Sequence, residues 1–209
     1  AEVARRLLAR SGSTGGAVDP RLDEALQDVV AQGHRASEVV HAFRRFLRRE
    51  HGEREELGVR DVLESVTLLL GREYADAGVQ LTLSVDPGVP ALEGERVLLQ
   101  QVFVNLLQNA LQAAQWRPPG QVLVRARASA GGVRITVVDS GPGIAAEVRP
   151  ALFESIVTSR SGGLGMGLPI ARRVVEAHGG HMGVGRLPGA GAVLSVWLPA
   201  ARQRLTSRG

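Results

Sequence analysis

The chain has no cysteine, which excludes disulfides and thiolate metal sites. Lysine is absent too, so all 25 residues of the Lys+Arg total are arginine. Aromatics make up only 3% of the chain, and its arginines are interspersed with acids. A basic stripe interleaved with stacking rings, as nucleic-acid binders carry, is not written along this sequence. No apolar run reaches membrane-spanning length, and no signal peptide heads the chain. The expectation is a cytoplasmic stretch that contacts neither nucleic acid nor membrane. An anchor elsewhere in a full-length protein stays open.

What is present is ordinary in amount. The 209 residues are 44% hydrophobic and 22% charged, with a net charge of +4, enough for one or two domains with a sizeable core. Val3, Ala4, Leu7 and Leu8 share one helical face, which stops at the Ser11–Gly16 loop. Asp19 can cap a second helix and Pro20 can open it, the run continuing to about His51. Along it Leu22, Leu26, Val29, Gly33, Ala36, Val40, Phe43 and Leu47 alternate steps of four and three, the seam of a helical bundle. The first helix is too short to cover that seam, so a homodimer through these helices is expected. Residues 1–51 are read as a partial antiparallel helical hairpin and 52–58 as a charged linker.

Residues 59–200 mix α and β patterns. Val59 to about Ala77 reads as a helix with Val62, Leu63, Val66, Leu69 and Leu70 inward. Gln80–Val85 alternates as a strand and ends at the Asp86-Pro87-Gly88 turn. A long helix from about Glu95 to Gln115 presents Leu99, Val102, Phe103, Leu106, Ala110 and Ala113 as its core face. Asn105, Asn109 and Gln112 line another side. Asparagine is a poor helix former, but a carboxamide offers an oxygen to a hard cation and an amine to a phosphate. Taken alone, the three read equally well as a solvated face. Strands follow at Gln121–Ala128 and Val133–Asp139, joined by a hairpin at Gly131-Gly132. A helix from Pro169 to about His178, strands at His181–Arg186 and Ala192–Leu198, and a tail at 201–209 complete the chain. The fold class is α+β, a two-layer α/β sandwich.

The chemistry concentrates in Asp139–Leu168, where a strand ends at an acid followed by Ser140-Gly141-Pro142-Gly143. A second glycine cluster, Gly162, Gly163, Gly165 and Gly167, opens the next helix. A glycine loop feeding a helix N-terminus is an anion site, because free N–H groups and the helix dipole favour negative charge. A carboxylate leaving a strand can accept a hydrogen bond from an exocyclic amine. Either feature alone is an ordinary turn or loop. Together they suggest a purine nucleotide.

The order of these parts resembles the ATP-binding domain of bacterial sensor histidine kinases, in the group that includes DNA gyrase and a heat-shock chaperone. Asn105-Leu106-Leu107-Gln108-Asn109-Ala110 is similar to the N box of that group, and Asp139-Ser140-Gly141-Pro142-Gly143-Ile144 to its G1 box. Leu152-Phe153-Glu154 resembles the F box, and Gly163-Leu164-Gly165-Met166-Gly167-Leu168 the G2 box. The long N-terminal helix resembles the second helix of the dimerisation and phosphotransfer bundle. The blend is nearest to nitrogen-regulation, oxygen-sensor and dicarboxylate-sensor kinases.

The resemblance implies a Bergerat-type ATP-binding fold, with a mixed sheet covered by helices, and ATP or ADP with Mg2+ as ligand. It implies transfer of the γ-phosphoryl to a histidine and relay to the receiver domain of a response regulator. Asp139 would hold the adenine amine, with Gly141, Gly143 and Ile144 beside the base. Asn109 would bind magnesium, with Asn105 and Gln112 on the same side. Thr158 to Gly167 would form a lid in which Thr158, Ser159, Gly163, Leu164, Gly165, Met166 and Gly167, followed by Leu168, meet the nucleotide. Arg160 stands where many of these kinases carry lysine, and Ala192 where many carry threonine. The gyrase branch has a glutamate base at the position of Asn105. A carboxamide cannot take a proton from water, so strong ATPase activity is not expected. The acceptor pattern, a histidine followed by an acid and then a proline, is missing. His34, His41, His51, His178 and His181 all lie in other contexts. The acceptor is expected upstream of Ala1, and the chain is expected not to phosphorylate itself. The alternatives are a nucleotide-binding scaffold and a gyrase-type ATPase.

Overall fold

The computed structural model describes residues 53–153, 167–185 and 191–201. The expected N-terminal helical hairpin, most of the lid and the end of the tail lie outside the described residues. Within 52–58, expected as a linker, Glu55–Leu57 forms strand β1. It pairs antiparallel with β3 (Leu92–Gly94), and Leu57 is fully buried. Strands this short have no alternation to read, so only the pairing reveals them.

Helix α1 (Val59–Asp76) buries Val59, Val62, Leu63, Val66, Leu70 and Tyr74. Leu69, expected inward, is 68% exposed beside Leu68 at 84%. At 3.6 residues per turn, Leu69 lies roughly 85° from the centre of the buried stripe. The apolar run Leu68-Leu69-Leu70 therefore contributes only its last member to the core. In urea unfolding, Leu69→Arg is expected to shift stability by no more than about 0.5 kcal/mol, whereas Leu63→Ala costs about 2–5 kcal/mol.

The remaining elements are β2 (Val79–Val85), α2 (Arg96–Ala114), β4 (Gly120–Ser129), β5 (Gly132–Asp139), α3 (Gly167–Ala177), β6 (His181–Gly185) and β7 (Val193–Pro199). The main sheet has the order β2-β4-β5-β7-β6. Its β2–β4 pair is parallel and the other three are antiparallel, so the sheet is mixed as expected. Helices α1 and α3 end at glycines in the left-handed region, Gly78 (φ 64°) and Gly179 (φ 73°), which lets the chain reverse onto a strand.

Alternation along the strands sorts the sheet into two faces. Val122, Val124 and Ala126 of β4, Ile135 and Val137 of β5, and Leu194, Val196 and Leu198 of β7 are buried on one. The three helices cover that face, and the two-layer sandwich is complete. Helix α2 buries Leu107, Leu111 and Ala114 as well as the expected Leu99, Val102, Phe103, Leu106 and Ala110. It touches α1, α3 and the sheet together, so its apolar face is wider than a single-sided helix needs. Ala113, expected in the core, is half-buried.

Candidate functional site

Strand β5 delivers Asp139 to the edge of the core, where it is 6% exposed. A buried carboxylate is costly unless hydrogen bonds replace its water. Here Oδ1 accepts the Gly141 N–H at 2.8 Å and the Ala192 N–H at 3.1 Å. The backbone closes the same junction: Asp139 N–H donates to the Ala192 carbonyl, and Gly191 N–H to the Asp139 carbonyl at 2.7 Å. The carboxylate is thereby fixed between the turn after β5 and the start of β7. Ala192 acts here through its main-chain N–H and carbonyl.

Two glycines are required here by close approach. A Cβ on Gly141 would lie 2.6 Å from the Ala113 carbonyl oxygen of α2 and 2.8 Å from Asp139 Oδ1. A Cβ on Gly191 would collide with Asp139 Oδ1 and stand 2.5 Å from Gly141 N. The turn therefore sits directly on the last turns of α2, and Ala113 is half-buried because the turn covers it. Ser140, between Asp139 and Gly141, faces away: its Oγ accepts the Gln121 N–H at 2.9 Å.

Asn109 is one helical turn from Ala113, and Asn105 one turn further back. Both are half-buried, while Gln112 is exposed. Asn105 Oδ1 accepts from Gln101 Nε2 at 2.8 Å, and its Nδ2 donates to the Gly167 carbonyl at 3.2 Å. That second bond joins α2 to the first residue of α3. The Asn109 side chain makes no hydrogen bond among the described residues, so its carboxamide is uncommitted. Gly143 has φ 81°; Ile144 and Leu168 are half-buried against the core, and the Ile144 carbonyl accepts Arg149 Nε and Nη2, each at 3.1 Å. The structure thus brings Asp139 and Gly141, at the end of β5, and Gly167, at the start of α3, against the second half of α2, which carries Asn105 and Asn109. Thr158, Ser159, Arg160, Gly163, Leu164, Gly165 and Met166 lie outside the described residues.

Three contributors were not singled out from the sequence. Besides Gly191, Tyr74 of α1 is buried, and its O–H donates to the Leu107 carbonyl at 2.7 Å. Burial, then the Asp139 and Glu73 carboxylates, push this phenol well above its ordinary range. His178, also buried, accepts the Glu95 N–H on Nε2 at 3.0 Å and shares a 2.7 Å hydrogen bond between Nδ1 and the Val174 carbonyl. Since Nε2 must accept, the proton sits on Nδ1. The ring ties the end of α3 to the start of α2, while Asn105 ties the middle of α2 to the start of α3. No local pattern marks a tyrosine or histidine for such a role.

Among the described residues no group of three or more His, Asp or Glu could hold a metal ion, and no helix is long and apolar enough to cross a membrane. Residues 94–202 match the family described as histidine kinase-, DNA gyrase B- and HSP90-like ATPase. The C4-dicarboxylate transport sensor protein DctB of Rhizobium meliloti (strain 1021) is 38% identical over 162 residues, which is 77% of this chain and 26% of DctB. The catalytic domain of histidine kinase ThkA, in a nucleotide-free form, aligns with TM-score 0.65 at 25% identity, covering 71% of this chain and 97% of that domain. Full-length ShkA in complex with AMPPNP aligns with TM-score 0.71 at 28% identity, over 91% of this chain and 41% of ShkA. The chain therefore spans about a quarter of DctB, and what it shares with these proteins is a domain. With its buried strand-end aspartate and paired helix asparagines, the chain belongs to the histidine kinase-, DNA gyrase B- and HSP90-like ATPase family and carries the catalytic domain found in sensor histidine kinases.

Proposed function

We propose that this chain binds ATP with magnesium and is the phosphoryl-donating part of a sensor histidine kinase. The γ-phosphoryl passes to a histidine and then to the aspartate of a response regulator receiver domain. The observation that carries the reading is Asp139, a buried carboxylate held in one orientation by two backbone N–H groups. A carboxylate has about four acceptor positions, so Asp139 can take the adenine amine beside those two. The crystal structure of ShkA in complex with AMPPNP supports a nucleotide as ligand.

At the phosphate end we assign Asn105, Asn109 and Gln112 of α2, with Arg160 and the glycines of the lid. When bound, magnesium neutralises phosphate charge, and the uncommitted Asn109 carboxamide is the oxygen ligand this chain supplies. Arg160 would bring a permanently charged fork to the transferring phosphoryl. Asn105 cannot deprotonate water, and its bond to Gly167 fixes the base of the lid instead. ATP is therefore held for transfer rather than hydrolysed. The N-terminal helices would form the homodimer that presents the acceptor.

The test is γ-labelled ATP with magnesium, with and without a separately supplied acceptor-histidine helical hairpin from a sensor kinase. Label is expected on the hairpin and not on this chain, with little phosphate released. Stable label on the chain alone would overturn the assignment of the acceptor to another segment. Rapid phosphate release without a hairpin would favour a gyrase-type ATPase, and binding without transfer a scaffold.

A further inference from the structure

Among the described residues no helix lies on the second face of the main sheet, and strand register aligns its side chains in rows. Arg127 of β4 stands opposite Arg134 of β5, Arg134 opposite Trp197 of β7, and Trp197 opposite His181 of β6. The row crosses four strands, a span of about 14 Å at normal strand spacing. The His181 and Trp197 rings are stacked, with centroids 5.1 Å apart and planes 20° apart. The next row brings Arg125 level with Thr136 and Ser195, and beyond it Leu123 is level with Val138.

Charge on this face is of one sign. No outward-facing position of the five strands holds Asp or Glu. Arg125 is neutralised by Asp86 at the end of β2, at 3.1 Å. The guanidinium groups of Arg127 and Arg134 make no hydrogen bond or ion pair among the described residues, although the two residues are directly paired across β4 and β5. Like charges directly opposite each other destabilise a sheet. A bound anion would convert that repulsion into attraction.

We propose that this open face is a docking surface for an acidic protein segment, whose carboxylates pair with Arg127 and Arg134 while an apolar side chain rests beside Trp197. Adjacent guanidinium forks suit planar carboxylates bidentately. One face of Trp197 is already taken by His181, which leaves no run of open rings for successive bases. Only Leu123, at 38%, ranks among the exposed large hydrophobics on this face, too little for insertion into a lipid surface. The patch is distinct from the nucleotide site. Arg134 lies five residues back along β5 from Asp139, about 17 Å, and on the opposite face.

The experiment uses the chain with Trp116→Phe, so that Trp197 is the remaining tryptophan of the two. Its fluorescence is followed during titration with a short peptide alternating glutamate and phenylalanine. The same peptide with glutamine for glutamate, a thymidine oligonucleotide and phosphatidylserine vesicles serve as comparisons. The glutamate peptide is expected to shift the Trp197 emission, and salt to weaken it. Arg127→Gln with Arg134→Gln should reduce its affinity at least about tenfold, while MgATP binding, measured alongside, stays unchanged and shows that the variant is folded. Equal binding of the glutamine peptide, or unchanged binding by the double variant, would overturn the proposal. So would tighter binding of the oligonucleotide or the vesicles through the same arginines, which would assign the face to nucleic acid or membrane.

Discussion

Asp139→Asn is expected to lower the affinity for MgATP at least about a hundredfold while leaving the fold intact. The asparagine oxygen can still accept the Gly141 and Ala192 N–H groups that Oδ1 accepts in the parent. The junction of β5 and β7 therefore survives, along with its backbone bonds from Gly191 and to Ala192. What changes is the second position of the side chain, where an acceptor becomes an NH2 donor. Facing an exocyclic amine, it opposes donor to donor in a buried setting, where an unmade hydrogen bond is most costly. Calorimetric titration of both proteins is the measurement, with thermal unfolding as the check on folding. Equal affinity in the two would remove adenine recognition from Asp139. Weak binding by both would instead place the deficit at the phosphate end.

Alkaline titration is expected to show a phenol that stays protonated until the protein unfolds. Tyr74 is the only tyrosine, and the chain has neither cysteine nor lysine. Arginine keeps its proton throughout, so the alkaline range belongs almost entirely to this side chain. In the folded protein burial is the larger cause of its raised value, followed by the charge of Asp139 and then of Glu73. Ionisation would also cost the O–H bond to the Leu107 carbonyl. In the unfolded chain the phenol ionises near pH 10, a typical tyrosine value of about 10. Because the folded value is the higher one, the associated stability is fully present below that pH and lost as pH rises through the interval above it. The slope there approaches about 1.4 kcal/mol per pH unit.

Tyrosinate absorbance and far-ultraviolet circular dichroism should therefore change together, in one transition displaced above pH 10, about the value for a free tyrosine. Tyr74→Phe is expected to abolish that slope and to cost about 1–3 kcal/mol at neutral pH, since the Leu107 carbonyl loses its buried donor. Asp139→Asn should lower the transition by less than burial raises it. A Tyr74 that ionises at the free value in folded protein would contradict the α1–α2 contact.

Much of the fold was legible because it is local. Helix α2 declared itself by apolar spacing, and its asparagines by their low helix propensity on a single side. Strands β4 and β5 followed from alternation, and Asp139 from a strand running into a glycine turn. Leu69 shows the limit of such reading: a triple leucine run satisfies several phases, and only contact with the sheet selects one. Strands β1 and β3 show another, since three residues have no period. The supports of the site fall outside local pattern altogether. Tyr74 meets Leu107 33 positions away, Asp139 meets Ala192 at 53, and His178 meets Glu95 at 83.

By itself, then, the sequence determined the class of fold, the family and the residues chemically able to meet a nucleotide, because residue type and short spacing carry those properties. Tertiary structure alone decided how Asp139 is held, which glycines must lack a side chain, and that Arg127, Arg134, Trp197 and His181 form one row. Each of these depends on backbone segments remote in sequence approaching within a few ångströms, and that proximity is set by strand pairing and core packing rather than by any neighbouring residue.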